Sequence, residues 1–250
     1  MQTPHRHLPL SLAAVFFSLF SFASVCGAQN PPQAPKPKVR TITAFINIER
    51  GRYQIQVSEA VDFLKKAKTA FEKQGYTVQT LRIVTQPFPE YTKEASRADA
   101  LQFFKNLDGI AQQDHLMISI GPAYLSNSDG GAQADLLADI LENTQSLYGT
   151  VVVASSEGVN WPAVKSAAGI IKTLADNTPH SEGNFRFAAI ANVPAYSPFF
   201  PAAYHAGAGN QFAIGLESAS TVAAAFQGAS DFADARRRLI DLLYPQAFDV

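Results

Sequence analysis

From Val39 onward, short segments rich in β-branched and aromatic residues alternate with longer segments whose apolar residues recur at helical spacing. Residues 39–48 have the composition of a strand. Residues 57–74 place Phe63, Leu64 and Phe71 on one helical face, and Gly75 follows as a C-terminal cap. Because alternating strands and helices build a sheet covered by helices, the sequence predicts an α/β fold with a mostly parallel sheet.

The same alternation continues to the end of the sequence. Further strands are predicted at 76–84, 116–120, 149–154, 185–192 and 212–216. Further helices are predicted at 95–113, 133–147, 162–175, 220–227 and 232–243. We therefore expect a single α/β domain over residues 39–250, preceded by a proline-rich linker at 29–38.

The first residues have the pattern of a secretory signal peptide. A basic head at residues 5–7 precedes an apolar stretch at 8–25, and small residues follow up to Ala28. We predict cleavage after Ala28 and a periplasmic or secreted protein with no stable membrane span after cleavage. A membrane anchor is disfavoured because serines dilute the apolar run. A lipid anchor on Cys26 is disfavoured because the bulky Val25 precedes it.

Composition excludes some classes of partner. Twenty basic residues face twenty-one acidic ones, and the longest basic run is Arg236-Arg237-Arg238, late in a predicted helix. This is not the charge pattern of a nucleic-acid-binding protein. Cleavage after Ala28 removes Cys26, the only cysteine, so the mature protein has neither a disulfide nor a cysteine nucleophile.

Ligands of parallel α/β sheets gather at the carboxyl ends of the strands. The loops that follow the predicted strands there are residues 85–91, 121–131, 155–161 and 193–210. The ligand-binding candidates in or beside these loops, for a small-molecule ligand, are Arg82, Gln86, Glu90, Gly121, Tyr204 and Ser218.

Two ionisable residues in the most unusual part of the chain are candidates for catalysis. His205 follows a stretch of aromatic residues and prolines, and the next strand leads to Glu217. A histidine and a carboxylate suit a general base and its partner, or a pair of metal ligands. The alternative is a partly buried structural histidine. His115, His180 and His205 have no metal-site spacing, so no metal site is predicted and the cofactor stays open.

Two stretches of the chain resemble the DUF711 family, also called UPF0210. The first is FRFAAIANVP at 185–194 with SPFFPAAYH at 197–205 and FAIGLES at 212–218; the second is VRTITAF at 39–45 with RIVTQPF at 82–88. The resemblance implies an α/β architecture similar to the barrel of glycyl radical enzymes. It implies no activity and no catalytic residues. Because family members continue into a further C-terminal region, it also implies a shortened member.

Three functions fit these observations. The first is an enzyme acting on a small polar metabolite through His205 and Glu217. The second is a periplasmic small-molecule-binding protein without catalysis, because no nucleophile elbow, phosphate-binding loop or metal motif is present. The third is a fragment inactive alone, with self-association through exposed apolar surface.

Overall fold

The computed structural model describes residues 36–124 and 131–249. The predicted signal peptide and most of the predicted linker lie outside these residues. The strands are β1 Lys38–Ile46, β2 Leu81–Thr85, β3 Met117–Pro122, β4 Leu147–Ser155, β5 Gly158–Val159, β6 Phe187–Ala191 and β7 Gln211–Glu217. The helices are α1 Tyr53–Lys73, α2 Pro89–Thr92, α3 Arg97–Gln113, α4 Gly131–Asn143, α5 Trp161–Asn177, α6 Ala219–Phe226 and α7 Phe232–Asp249; a 3₁₀ segment, Pro179–Arg186, precedes β6.

One seven-stranded sheet, mostly parallel, forms the centre of the fold, as predicted. β1, β2, β3, β4 and β6 lie side by side in chain order, and each neighbouring pair is parallel. β7 pairs antiparallel with the outer side of β1, and β5 forms a short antiparallel hairpin with β4. The described sheet is open rather than closed, so the resemblance to a barrel stays a prediction.

The helices that link the parallel strands all pack on one face of the sheet. Crossovers between parallel strands are right-handed, so strands laid down in chain order place every connecting helix on the same side. The main core accordingly combines α1, α3, α4 and α5 with one alternate set of strand residues, including Ile42, Ile83, Ile118 and Val151. We call the opposite surface the helix-free face.

Local capping fixes where the connecting helices begin. The Ser96 hydroxyl accepts a hydrogen bond from the Asp99 N–H at 3.1 Å at the start of α3. The Asn160 side chain does the same for the Ala163 N–H at 3.0 Å, next to Pro162 in the first turn of α5. Ser96 and Asn160 lie immediately before their helices, so these two caps fix the residues at which α3 and α5 begin.

Several predicted boundaries are wrong. The helix predicted to reach residue 147 ends at Asn143, because Leu147 already begins β4. The strand predicted from residue 76 begins at Leu81, and before it Val78 makes only an isolated bridge with Val39. The last helix continues past residue 243 to Asp249, with Pro245 inside it.

Among the described residues, no helix is both long and apolar enough to cross a membrane.

Candidate functional site

A long segment, residues 193–210, runs over the carboxyl ends of the central strands on the helix-free face. We call it the covering segment. The Ser119 hydroxyl of β3 donates to the Ala203 carbonyl oxygen at 2.6 Å, and the His205 N–H donates to the Thr85 carbonyl oxygen of β2 at 3.0 Å. Ala203 forms a small second core with Phe45 and Val84. The chain itself therefore covers the strand ends where the sequence predicted a ligand.

His205 lies inside this covering segment, with none of its surface exposed. Its imidazole Nε2 lies 2.9 Å from the Gly209 carbonyl oxygen, and its ring contacts Phe45 and Tyr196. Nδ1 is buried without a hydrogen-bond partner among the described residues. Burial lowers the pKa of His205, and the hydrogen bond to Gly209 only partly opposes that shift. His205 is thus a neutral, buried imidazole.

Glu217 lies at the other end of the sheet. β7 starts with Gln211 opposite Phe45, near the carboxyl end of β1, and ends with Glu217 opposite Lys38. A strand advances about 3.3 Å per residue, so β7 carries Glu217 roughly 20 Å away from the end where His205 lies. Its carboxylate accepts a hydrogen bond from Gln79 at 2.6 Å. The structure does not bring together the predicted pair of His205 and Glu217.

Arg82 lies on the helix-free face, where it contacts the covering segment. Its guanidinium donates to the Pro198 carbonyl oxygen at 3.3 Å and lies over the Phe200 ring, 4.7 Å from the centroid. Its Nε is buried without a hydrogen-bond partner in the described chain. Burial lowers the pKa of Arg82, and the like charge of Arg40 lowers it further. Arg82 is therefore a half-buried cation whose charged form is disfavoured by burial and by the like charge of Arg40.

Two residues near Arg82 were not among the predicted candidates. Arg40 donates to the Gln79 side-chain oxygen at 2.8 Å, a neutral acceptor. Tyr148 of β4 packs against Phe200 of the covering segment, with the two ring centroids 5.2 Å apart. Within the described ranges, the ion pairs include neither Arg40 nor Arg82. In the sequence, the alternation of residues along β2 indicates the orientation of Arg82. It turns Arg82 away from the face that holds the core residue Ile83.

Gln86 and Gly121 have structural roles. The Gln86 amide accepts from the Ile48 N–H at 3.0 Å and donates to the Ile48 carbonyl at 2.8 Å, so it holds the chain after β1. Gly121 has φ +74°, and a Cβ there would come within 3.0 Å of the Pro87 Cα. Only glycine fits both that backbone conformation and that close approach.

The remaining candidates lie on three different segments of the chain. Glu90 is on the short helix α2, where burial raises its carboxyl pKa. The Tyr204 hydroxyl donates to the Val193 carbonyl oxygen at 3.1 Å, within the covering segment. Ser218 precedes α6 and makes no side-chain cap. Of the predicted ligand-binding residues, Arg82 is the cation, and its Nε is buried without a hydrogen-bond partner among the described residues.

In the described chain, no group of three or more His, Cys, Asp and Glu residues could hold a metal ion. Part of the predicted loop at 121–131, residues 125–130, lies outside the described residues.

Comparison with known proteins decides the family. The model of the family described as Uncharacterised ACR (DUF711) matches residues 33–250. The chain belongs to the DUF711 family. This match confirms the resemblance inferred from the motifs at 185–218.

Three proteins named UPF0210 protein are similar to this DUF711 chain. The one from Pyrobaculum islandicum is 33% identical over 57% of this chain and 33% of its own length. Those from Sulfurisphaera tokodaii and Actinobacillus pleuropneumoniae are 29% and 25% identical, over 67% and 70% of this chain and 40% and 42% of their own lengths. The chain thus spans less than half the length of the curated relatives it matches.

Proposed function

We propose that this DUF711 protein binds a small anionic metabolite on the helix-free face, without catalysis by His205. The single observation that supports the proposal is the half-buried guanidinium of Arg82, whose Nε is buried without a hydrogen-bond partner and which forms no ion pair among the described residues. The like charge of Arg40 also lowers the pKa of Arg82, and an anion bound to Arg82 would offset that repulsion.

The chemistry of the neighbouring groups narrows the ligand class. A guanidinium presents planar donors that match a carboxylate or a phosphate, and the Arg82 Nε has no other partner among the described residues. The Phe200 ring, in contact with both Arg82 and Tyr148, provides an apolar wall. A carboxylate or a phosphate monoester attached to a small apolar or planar body fits this set.

Catalysis by the predicted pair receives no support from the geometry. A general base needs access to the substrate and a partner that orients it. His205 is fully buried and Glu217 lies at the opposite end of the sheet. The geometry therefore supports binding better than it supports catalysis.

Thermal unfolding with added anions tests the proposal. We expect inorganic phosphate, malonate and a phenyl phosphate to raise the melting temperature saturably against sodium chloride of equal ionic strength, because a ligand of the native state stabilises it by mass action. Arg82→Gln should weaken that binding about tenfold or more, since a hydrogen bond to a charged group contributes about 1.5–3 kcal/mol.

The controls separate a specific site from general charge. Arg82→Lys retains the charge without the planar fork, so its affinity should lie between those of the wild type and Arg82→Gln. Arg236→Gln removes a charge on the exposed surface of α7 and should leave the affinity for the anions unchanged. Equal affinities for the wild type and Arg82→Gln would rule out this site.

We also propose that the chain is exported and cleaved after Ala28. The basic head and apolar stretch of residues 5–25 support this. Expression of residues 1–250 in a Gram-negative host should give a periplasmic product whose intact mass corresponds to a chain that begins at Gln29. A variant with Phe16→Arg and Phe17→Arg should remain uncleaved in the cytoplasm. A wild-type product that retains residues 1–28 would contradict the proposal.

A further inference from the structure

β7 leaves one edge of the sheet uncovered by any described strand. It pairs with β1 on one side, and it is the last strand in the sheet order on the other. An edge strand presents unpaired backbone N–H and C=O groups, which pair readily with another strand. Proteins usually protect such an edge with charged residues, proline or a bulge.

The sequence of β7 contains none of these protections before its last residue. Between Gln211 and Glu217 it reads FAIGL, with no charge and no proline, and the irregularity in the β1–β7 pairing falls on β1, between Val39 and Thr41. Phe212 is 59% exposed, although its ring contacts Phe63 of α1. The edge is thus regular, apolar and accessible.

We propose that β7 pairs antiparallel with β7 of a second copy of this chain, about a two-fold axis at Ile214. The strand is self-complementary in that register. Phe212 lies opposite the partner's Leu216, and Ala213 opposite the partner's Gly215, so large residues meet large ones on one face and small meet small on the other. Gln211 lies opposite the partner's Glu217, where an amide donor meets a carboxylate and no like charges face each other.

The helices after β7 supply apolar surface for the same interface. α6 begins at Ala219, two residues after β7 ends, and α6 and α7 pack chiefly on each other. A stable interface buries about 800 Å² on each partner, more than a strand pair alone provides. The exposed apolar side chains of these helices are Val222, Phe226, Phe232, Ile240, Tyr244 and Phe248.

Sedimentation equilibrium of the full chain tests the pairing and its register. Gln211 is exposed, so its substitution does not disturb the core. Gln211→Lys places a cation opposite the partner's Glu217 and should strengthen the dimer; Gln211→Glu places two carboxylates there and should weaken it. The two-fold axis places two pairs of residue 211 and Glu217 in each dimer. We therefore expect the dissociation constant to fall about two- to tenfold in Gln211→Lys and to rise about two- to tenfold in Gln211→Glu.

A third variant removes the apolar match, and a fourth is its control. Phe212→Lys should raise the dissociation constant at least about tenfold, because it places a cation opposite the partner's Leu216. Phe185→Lys changes a residue that is 83% exposed, just before β6, and should leave the dissociation constant unchanged. A monomer at about 100 µM, or a dimer indifferent to all the β7 variants, would overturn the proposal.

Discussion

The imidazole Nε2 of His205 lies 2.9 Å from the carbonyl oxygen of Gly209. Because a carbonyl only accepts, Nε2 carries the proton of the neutral ring and Nδ1 keeps a bare lone pair. No described donor reaches Nδ1. A second proton on Nδ1 would place a charge inside the covering segment, between the rings of Phe45 and Tyr196.

This arrangement predicts that His205 makes folding sensitive to acid. Its pKa is lowered in the folded protein, so between that value and the ordinary pKa of about 6.5 the unfolded chain binds more protons than the native one. The contribution of His205 to the free energy of unfolding is therefore complete above that window and falls as the pH falls through it. Urea unfolding at pH 7, 6 and 5 measures this loss.

His205→Gln keeps an N–H donor for Gly209 without a titrating ring. The free energy of unfolding of this variant should fall less between pH 7 and pH 5 than that of the wild type. His180→Asn replaces an exposed histidine whose backbone is left-handed, a conformation that asparagine tolerates. It should retain the wild-type slope. Parallel pH profiles for the wild type and His205→Gln would contradict the prediction.

A second prediction concerns Asp108, whose carboxylate joins α3 to the turn before β4. It accepts hydrogen bonds from the N–H groups of Ser146 at 2.7 Å and Gln145 at 3.1 Å. Asp108→Ala leaves both donors without that acceptor, and we expect a loss of about 1–3 kcal/mol in the free energy of unfolding. Urea denaturation measures it. Asp62→Ala, at an exposed position of α1, should change the same free energy by less than about 0.5 kcal/mol.

Asp108 also shows why one predicted boundary was wrong. Leu147 lies seven residues after Ile140 and so continues the helical spacing of α4, which is why the sequence alone extends that helix. The turn is set by a carboxylate from α3, more than thirty residues earlier in the chain. Periodicity describes local structure, and it contains no information about which distant side chain will accept a backbone N–H.

The candidate site was predictable only in part, for a related reason. Strand alternation places Arg82 away from the core, and the structure agrees. His205 and Glu217 are close in sequence, but β7 runs antiparallel to β1 and separates them along its whole length. The strand direction depends on sheet pairing, which the spacing of residues does not specify.

A third prediction compares glycines in two environments. Gly149 of β4 faces α4, and a Cβ there would collide with Leu137, which is fully buried. Gly149→Ala should cost about 1–3 kcal/mol of unfolding free energy, because a packed core accepts an added methyl group poorly. Gly169 lies on the exposed side of α5, and a Cβ there would meet no atom within 4 Å, so Gly169→Ala should add about 0.5–1 kcal/mol. Losses of equal size in both variants would refute the packing argument.

The last prediction concerns Phe200, which touches two residues of the proposed anion site. Its ring lies 4.7 Å below the Arg82 guanidinium and 5.2 Å from the ring of Tyr148. Phe200→Leu keeps apolar volume but removes the aromatic face. Because a cation over an exposed ring gains about 0.5–1 kcal/mol, Arg82 should be held less firmly and phosphate affinity should fall about two- to fivefold.

Phe199→Leu, at a neighbouring side chain that is 74% exposed, should bind phosphate as the wild type does. Calorimetric titration of both variants decides whether the ring positions the guanidinium: equal affinities would show that Arg82 needs no support from Phe200.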